Sequence, residues 1–194
     1  MHTKEIESHP LEPFFPEGAK VLMLGSFPPK KERWKMNFYY PNFQNDMWRI
    51  FGLVFFDDKD HFLTDDKKSF HEARLRSFLA EKKIALWDTG MQVIRLKDNA
   101  SDKFLEIVRP IDLEHVLRQL TSCGAIVTTG QKATDILMSI LGTEEPKVGG
   151  YIETIYSGLQ LRVYRMPSSS RAYPKPLQEK AIIYAKMFSE LGLK

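Results

Sequence analysis

The sequence predicts a single-domain α/β fold, a three-layer α/β/α sandwich around a central, mainly parallel four-stranded sheet. Three observations predict it. Four short, almost uninterrupted apolar runs have the pattern of strands buried on both faces, which is the pattern of a parallel sheet. Longer stretches between them carry apolar residues at helical spacing. The 194 residues, 43% of them hydrophobic, suffice for one substantial core. They show no internal repeat, low-complexity tract or interdomain linker.

The predicted strands are Lys20–Gly25 (KVLMLG), Ile84–Thr89 (IALWDT), Ala125–Gly130 (AIVTTG) and Leu159–Met166 (LQLRVYRM). The last alternates more than the others and is expected at an edge of the sheet. Helical periodicity covers Asp46–Phe56, with Met47, Ile50, Phe51 and Val54 on one face, and Ser69–Glu81. Leu113–Leu120, Lys132–Leu141 and Leu177–Leu191 complete the helices. Strands alternating with helices imply a parallel sheet covered on both faces. Residues 1–17 form an N-terminal extension. Arg95–Pro110 is a polar excursion too long for a routine crossover loop.

Composition narrows the function classes. One cysteine, Cys123, and five histidines cannot supply a cysteine-rich zinc or iron–sulfur centre, nor an intrachain disulfide. The histidines have no metal-ligand spacing, so no metal and no cofactor is expected. No apolar run approaches the roughly 20 residues that span a bilayer. The N-terminus lacks an apolar signal core, which leads us to expect a reduced, cytoplasmic setting, nucleoid-associated, and no membrane partner. Net charge is only +3, but its distribution is uneven. Lys30, Lys31, Arg33 and Lys35 follow the first strand, and Arg162, Arg165, Arg171, Lys175 and Lys180 recur near the C-terminus. Converging, these two stretches would give a nucleic-acid backbone a place to lie; apart, they are solvated faces.

In an open parallel sheet, ligands bind beyond the carboxyl ends of the strands. That rule selects 25–35, 88–95, 130–132 and 167–176. The first of these leaves its strand as Gly25-Ser26-Phe27-Pro28-Pro29, restricted by two prolines. Asn37-Phe38-Tyr39-Tyr40-Pro41 and Asn42 to Trp48 follow. A rigid loop with aromatics and amides suits a flat polar ring: faces stack, an amide pairs with the ring edge, and backbone N–H groups bind its oxygens.

These residues carry a resemblance. GSFP…FYY…NxxW resembles the first motif region of the uracil-DNA glycosylase superfamily. It is most similar to the hypoxanthine-DNA glycosylase branch (family 6), where GSFPS precedes YYGHPxNxFW. Gly25, Ser26, Phe27, Pro28, Tyr39, Tyr40, Asn45 and Trp48 match at the same spacing. Leu86-Trp87-Asp88 resembles that branch's LWDV, and Met166-Pro167-Ser168-Ser169-Ser170 its LPSTSP variant of the second motif. Gly130, Lys132 and Ala133 resemble its GxKA turn. The likeness runs in order from Val21 to Leu177. It departs at Pro41-Asn42-Phe43 and Gln92-Val93, at Phe27 where many members have a water-positioning Asp or Asn, and at Met166 where a His is frequent.

The resemblance implies a monomeric, metal-independent DNA glycosylase of base-excision repair that flips a deaminated or damaged base and hydrolyses its N-glycosidic bond. Uracil, hypoxanthine or a relative is the expected base, in DNA. Such cleavage leaves an oxocarbenium-like sugar and an anionic base, so the site must stabilise that charge and position a water. The expected catalytic residues are Asn45 and Asp88. Asn45 is equally a helix cap, and Asp88 equally a turn carboxylate. Gly25, Ser26, Phe27, Pro28, Tyr39, Tyr40 and Trp48 are expected at the base, with Phe27 or Tyr40 stacking on it and Trp48 packing beneath the loop. Ser168, Ser169, Ser170, Arg171, Lys30 and Lys31 are expected at the DNA backbone. Arg95 and Asp102 match the branch's downstream Arg and Asp. The alternative is a catalytically inactive DNA- or nucleobase-binding member of the same fold, which Phe27 and Met166 favour.

Overall fold

A computed structural model describes residues 5–97 and 102–194. In chain order the elements are β1 (Ile6–Ser8), β2 (Val21–Gly25), α1 (Met47–Phe56), α2 (Glu72–Glu81), β3 (Ile84–Asp88), β4 (Gly90–Arg95) and β5 (Leu105–Pro110). Then follow α3 (Leu113–Gln119), β6 (Ala125–Thr129), α4 (Gln131–Leu141), β7 (Tyr151–Tyr156), β8 (Leu159–Met166) and α5 (Leu177–Glu190).

The larger sheet has the order β3-β2-β6-β8-β7. The four apolar runs are its parallel strands, and β7 pairs antiparallel with β8. The sheet therefore has five strands rather than the expected four, and β7, not β8, forms its edge. The reason is visible in β7 itself. Its residues alternate between exposed and half-buried, because an edge strand beyond the helices has little core to meet, and its sequence carries no apolar run. β8 alternates at its start, where it pairs with that edge.

Side-chain alternation along β2 feeds two cores. Val21 and Met23 face α1, α2 and α5, packing with Ile50, Phe51, Leu79, Tyr184 and Phe188. Leu22 and Leu24 face α3 and α4, packing with Val116, Leu117, Leu137 and Met138. Burying such side chains contributes roughly 1.5–3 kcal/mol each, which fixes the direction of every strand end.

A second, three-stranded antiparallel sheet has the order β1-β4-β5. The region expected as a polar excursion is thus largely strand: Arg95 ends β4 and Leu105–Pro110 is β5, with residues 98–101 outside the described part. The segment expected as an extension is stitched to the body. β1 pairs with β4, His9 N–H donates to Met91 O at 2.9 Å, and Phe14 exchanges both backbone hydrogen bonds with Leu86. Val93, Leu105 and Ile107 from this small sheet pack on Phe27, so it leans over the carboxyl end of β2.

Candidate active site

The carboxyl ends of β2, β3, β6 and β8 open into one cavity of about 990 Å³. Residues 25–29, 39–42, 44–45, 129–132 and 165–174 line it, together with Asp88, Arg95 and Asp102. A single strand-end position thus gathers all four segments selected by sequence.

Its floor is built on Gly25. The Gly25 carbonyl accepts Thr89 N–H (2.9 Å) and Thr89 Oγ1–H (3.1 Å), and Ser26 O accepts Gly90 N–H (2.9 Å). A Cβ on Gly25 would lie 2.6 Å from Asp88 Oδ1 and 3.4 Å from the Tyr40 hydroxyl, so only glycine lets these two oxygens converge there. Asp88 is buried, and its other oxygen, Oδ2, lies 2.8 Å from His9 Nε2. His9 escaped sequence reasoning. It stands 79 positions from Asp88, and no local pattern announces a contact that two sheets create.

Tyr40 lines the cavity with φ of 49°, a left-handed conformation costly for a tyrosine. Its hydroxyl shares a 2.9 Å hydrogen bond with Thr129 Oγ1, and its ring meets Trp48 edge-on at 5.7 Å. Tyr39 donates to Glu12 O at 2.8 Å. Burial, and then the Asp88 carboxylate, push both phenols far above their usual range, so both stay neutral hydrogen-bonding groups. Phe27 is buried against Val93 and Leu105, with only part of its ring reaching the cavity. Trp48 lies beneath, fully buried, donating Nε1–H to Tyr39 O at 2.9 Å. It supports Tyr39 and Tyr40 and does not line the cavity.

Asn45 lines the cavity while its Oδ1 accepts Met47 N–H at 3.0 Å, at the start of α1. The cap position of α1 is Asp46, which makes no side-chain capping bond, so Asn45 closes a turn ahead of the helix rather than capping it, and only the carbonyl half of its amide is used. The next residue locks two segments together. Asp46 N–H donates to Ser169 O (2.8 Å), and Asp46 Oδ1 accepts Arg171 Nε–H (2.9 Å). Ser168 Oγ accepts Ser170 N–H (3.2 Å), and Ser168 and Ser170 line the wall beside a buried Ser169. Lys180, almost completely buried, donates to Ser170 O at 2.7 Å, and Tyr184 donates to Pro167 O at 2.9 Å. Desolvation lowers the Lys180 ammonium's pKa. Gly130, at φ 109°, turns the chain into α4 right beside Ser168.

Asp102 accepts a hydrogen bond from Ser26, and burial raises its carboxyl above the usual range, with Asp88 adding to the rise. Arg95 holds the first loop in place: it donates to Pro28 O at 2.6 Å, pairs with Glu7 and lies 5.5 Å over the Phe27 ring. Arg33, Lys103, Lys132, Arg165 and Arg171 also line the cavity, so cations from both basic stretches reach it. Lys30 and Lys31 are exposed just outside it, and Trp34 anchors that turn by donating to Pro29 O at 2.7 Å. Arg162 and Lys175 pair instead with Glu153 and Glu179. Among the described residues no group of His, Cys, Asp and Glu could hold a metal ion. None of their helices is long and apolar enough to cross a membrane.

No protein-family model and no curated protein sequence matches the chain. A solved structure does. The chain is similar to a candidate uracil DNA glycosylase from Methanosarcina acetivorans, determined by solution NMR, with a TM-score of 0.62 and 21% identity. The match covers 97% of this chain and 99% of that one. At this identity the likeness is one of fold, over essentially the whole length of both chains.

Proposed function

We propose that this chain is a DNA glycosylase of the uracil-DNA glycosylase type, closest to the hypoxanthine-DNA glycosylase branch, that excises a flipped, deaminated base. One observation carries the reading: Asp88, Asn45, Tyr40 and the Gly25–Pro28 loop share a single cavity at the strand ends, on the fold of a candidate uracil DNA glycosylase. A cavity of this volume takes a nucleoside, and its rim of arginines and lysines suits the phosphates on either side.

Each residue has a role. Tyr40, and the exposed part of Phe27, bound the base with ring surface. The Phe27 N–H, free of backbone partners among the described residues, and Asn45 face its polar edge. Asp88 is the buried carboxylate placed to take a proton from the attacking water. Ser168, Ser170 and Arg171 are placed for the backbone next to the flipped nucleotide. Asp102 lines the same cavity, with its carboxyl raised above the ordinary range by burial, and stands beside Ser26 at the edge of the base site. No step needs a metal or cofactor in this scheme. The test is incubation of excess protein with oligonucleotides containing uracil, hypoxanthine or xanthine, followed by alkaline cleavage. Strand scission at the modified position is expected for at least one. None at all removes the enzymatic reading.

A second reading, a DNA- or nucleobase-binding protein without turnover, draws on two residues. Phe27 and Met166 are apolar and packed into clusters, at positions where many members of the wider superfamily have a polar group. Salt-dependent binding without base release would select it.

A further inference from the structure

We infer that His9, delivered by the N-terminal strand, is a positioning residue for Asp88, the two forming a histidine–carboxylate pair that activates the attacking water. This rests on the glycosylase reading and names the part that replaces the missing polar side chain at position 27.

His9 is fixed from every side. Its backbone N–H binds Met91 O, β1 immediately before it pairs with β4, and Phe14 after it bridges to Leu86. The ring is 4% exposed, lying 4.3 Å from Trp87 and edge-on to Phe27 at 5.3 Å. Nδ1 lies between the Leu11 carbonyl oxygen at 3.0 Å and the Leu11 N–H at 3.2 Å, which holds the ring plane, and Nε2 faces the acceptor-only Asp88 Oδ2 at 2.8 Å, where it donates. One carboxylate oxygen is therefore occupied and the carboxylate's rotation is fixed. The other, Oδ1, leans over Gly25 toward the cavity, opposite the Tyr40 hydroxyl.

In the reaction, a water above Gly25 forms the new bond to C1′ and passes its proton to Asp88 Oδ1. The C1′–N bond breaks, and its electron pair leaves with the base. His9 keeps its Nε2 proton throughout, and Asp88 later returns the acquired proton to solvent. The groups facing this pair are Tyr39 and Tyr40 from the loop before α1 and Asp102 from the turn before β5; all three interact electrostatically with Asp88. Both tyrosines stay neutral, so Asp102 is the other carboxyl to follow on the acid side.

The experiment measures single-turnover base release against pH on the uracil, hypoxanthine and xanthine duplexes, alongside Kd for a duplex with a tetrahydrofuran abasic site. His9→Phe keeps the packing and removes the hydrogen bond. It is expected to slow release on the order of 10²-fold and move the acid limb of the profile to higher pH, with Kd unchanged. His9→Gln, whose amide can donate to Asp88, is expected to recover to within about tenfold of wild type. If His9→Phe shows no cooperative thermal transition, His9→Asn, one methylene short of Asp88, replaces it. Wild-type rate and profile in these variants overturn the proposal and leave the glycosylase reading standing. Equal loss in His9→Gln, with Kd weakened, also overturns it, as a packing role. A wild-type protein that releases none of the three bases overturns the glycosylase reading itself, and the proposal with it.

Discussion

Gly25 is the residue on which the site's geometry turns. Its missing side chain lets Asp88 Oδ1 and the Tyr40 hydroxyl approach the same point. Gly25→Ala is expected to destabilise the fold by about 1–3 kcal/mol in urea titrations, the usual cost of overpacking, and to abolish base release by displacing Asp88. Asp102 makes the opposite trade. Its folded-state pKa is raised, so the native state holds the proton more tightly, and stability falls as pH rises through the raised value. Asp102→Asn is therefore expected to be more stable than wild type at pH 7, with the gain shrinking toward pH 4, while activity falls. Thermal transitions at several pH values check the sign. Cys123 is inert by the same physics: burial pushes its thiol up to about 11, so alkylation at pH 8 is expected only on unfolding. At this scale the sequence was partly legible. Asp88, Asn45 and Tyr40 stood out because each follows a strand or a proline-restricted loop. His9 did not, since its meaning lies wholly in a partner 79 positions away. Trp48 was legible as a ring packed beneath the loop, and it lies there fully buried, although its place in the motif had also put it among the residues expected at the base.

Among the elements, the four parallel strands and five helices could be read because burial on both faces, or on one helical stripe, writes a strong period into the sequence. β1, β4, β5 and β7 could not. Each is half-exposed and stabilised by backbone pairing, which leaves little mark on side-chain choice. The loop from Pro167 to Arg171 shows how α5 serves the site. Tyr184 and Lys180, one turn apart on that helix, hold the carbonyls of Pro167 and Ser170. Tyr184→Phe leaves a buried carbonyl unpaired and is expected to cost about 1–3 kcal/mol in urea titrations. It should also weaken DNA binding, because Ser168 and Ser170 are no longer held against the Asn45–Asp46 segment.

The whole molecule carries a net charge of only +3, so the proposed attraction to DNA would have to be local to the cavity rim. Arg33, Lys103 and Lys132 come to that rim from the turn after β2, the turn before β5 and the first turn of α4, a convergence that no reading of linear charge could establish. DNA affinity is expected to fall steeply with salt, and Arg33→Ala should reduce the slope of log Kd against log salt by about one, uniformly across sequences. The proposed activity comes down to one step, the breaking of a glycosidic bond in this cavity with Asp88 as the base. Chromatographic detection of free base, released under single turnover by wild type and by Asp88→Asn, measures that step most directly. Wild type is expected to release base from at least one of the uracil, hypoxanthine or xanthine duplexes, and the variant at least about 10²-fold more slowly at unchanged DNA affinity. Equal rates in the two proteins, or no free base from wild type that binds the DNA, would contradict this proposal.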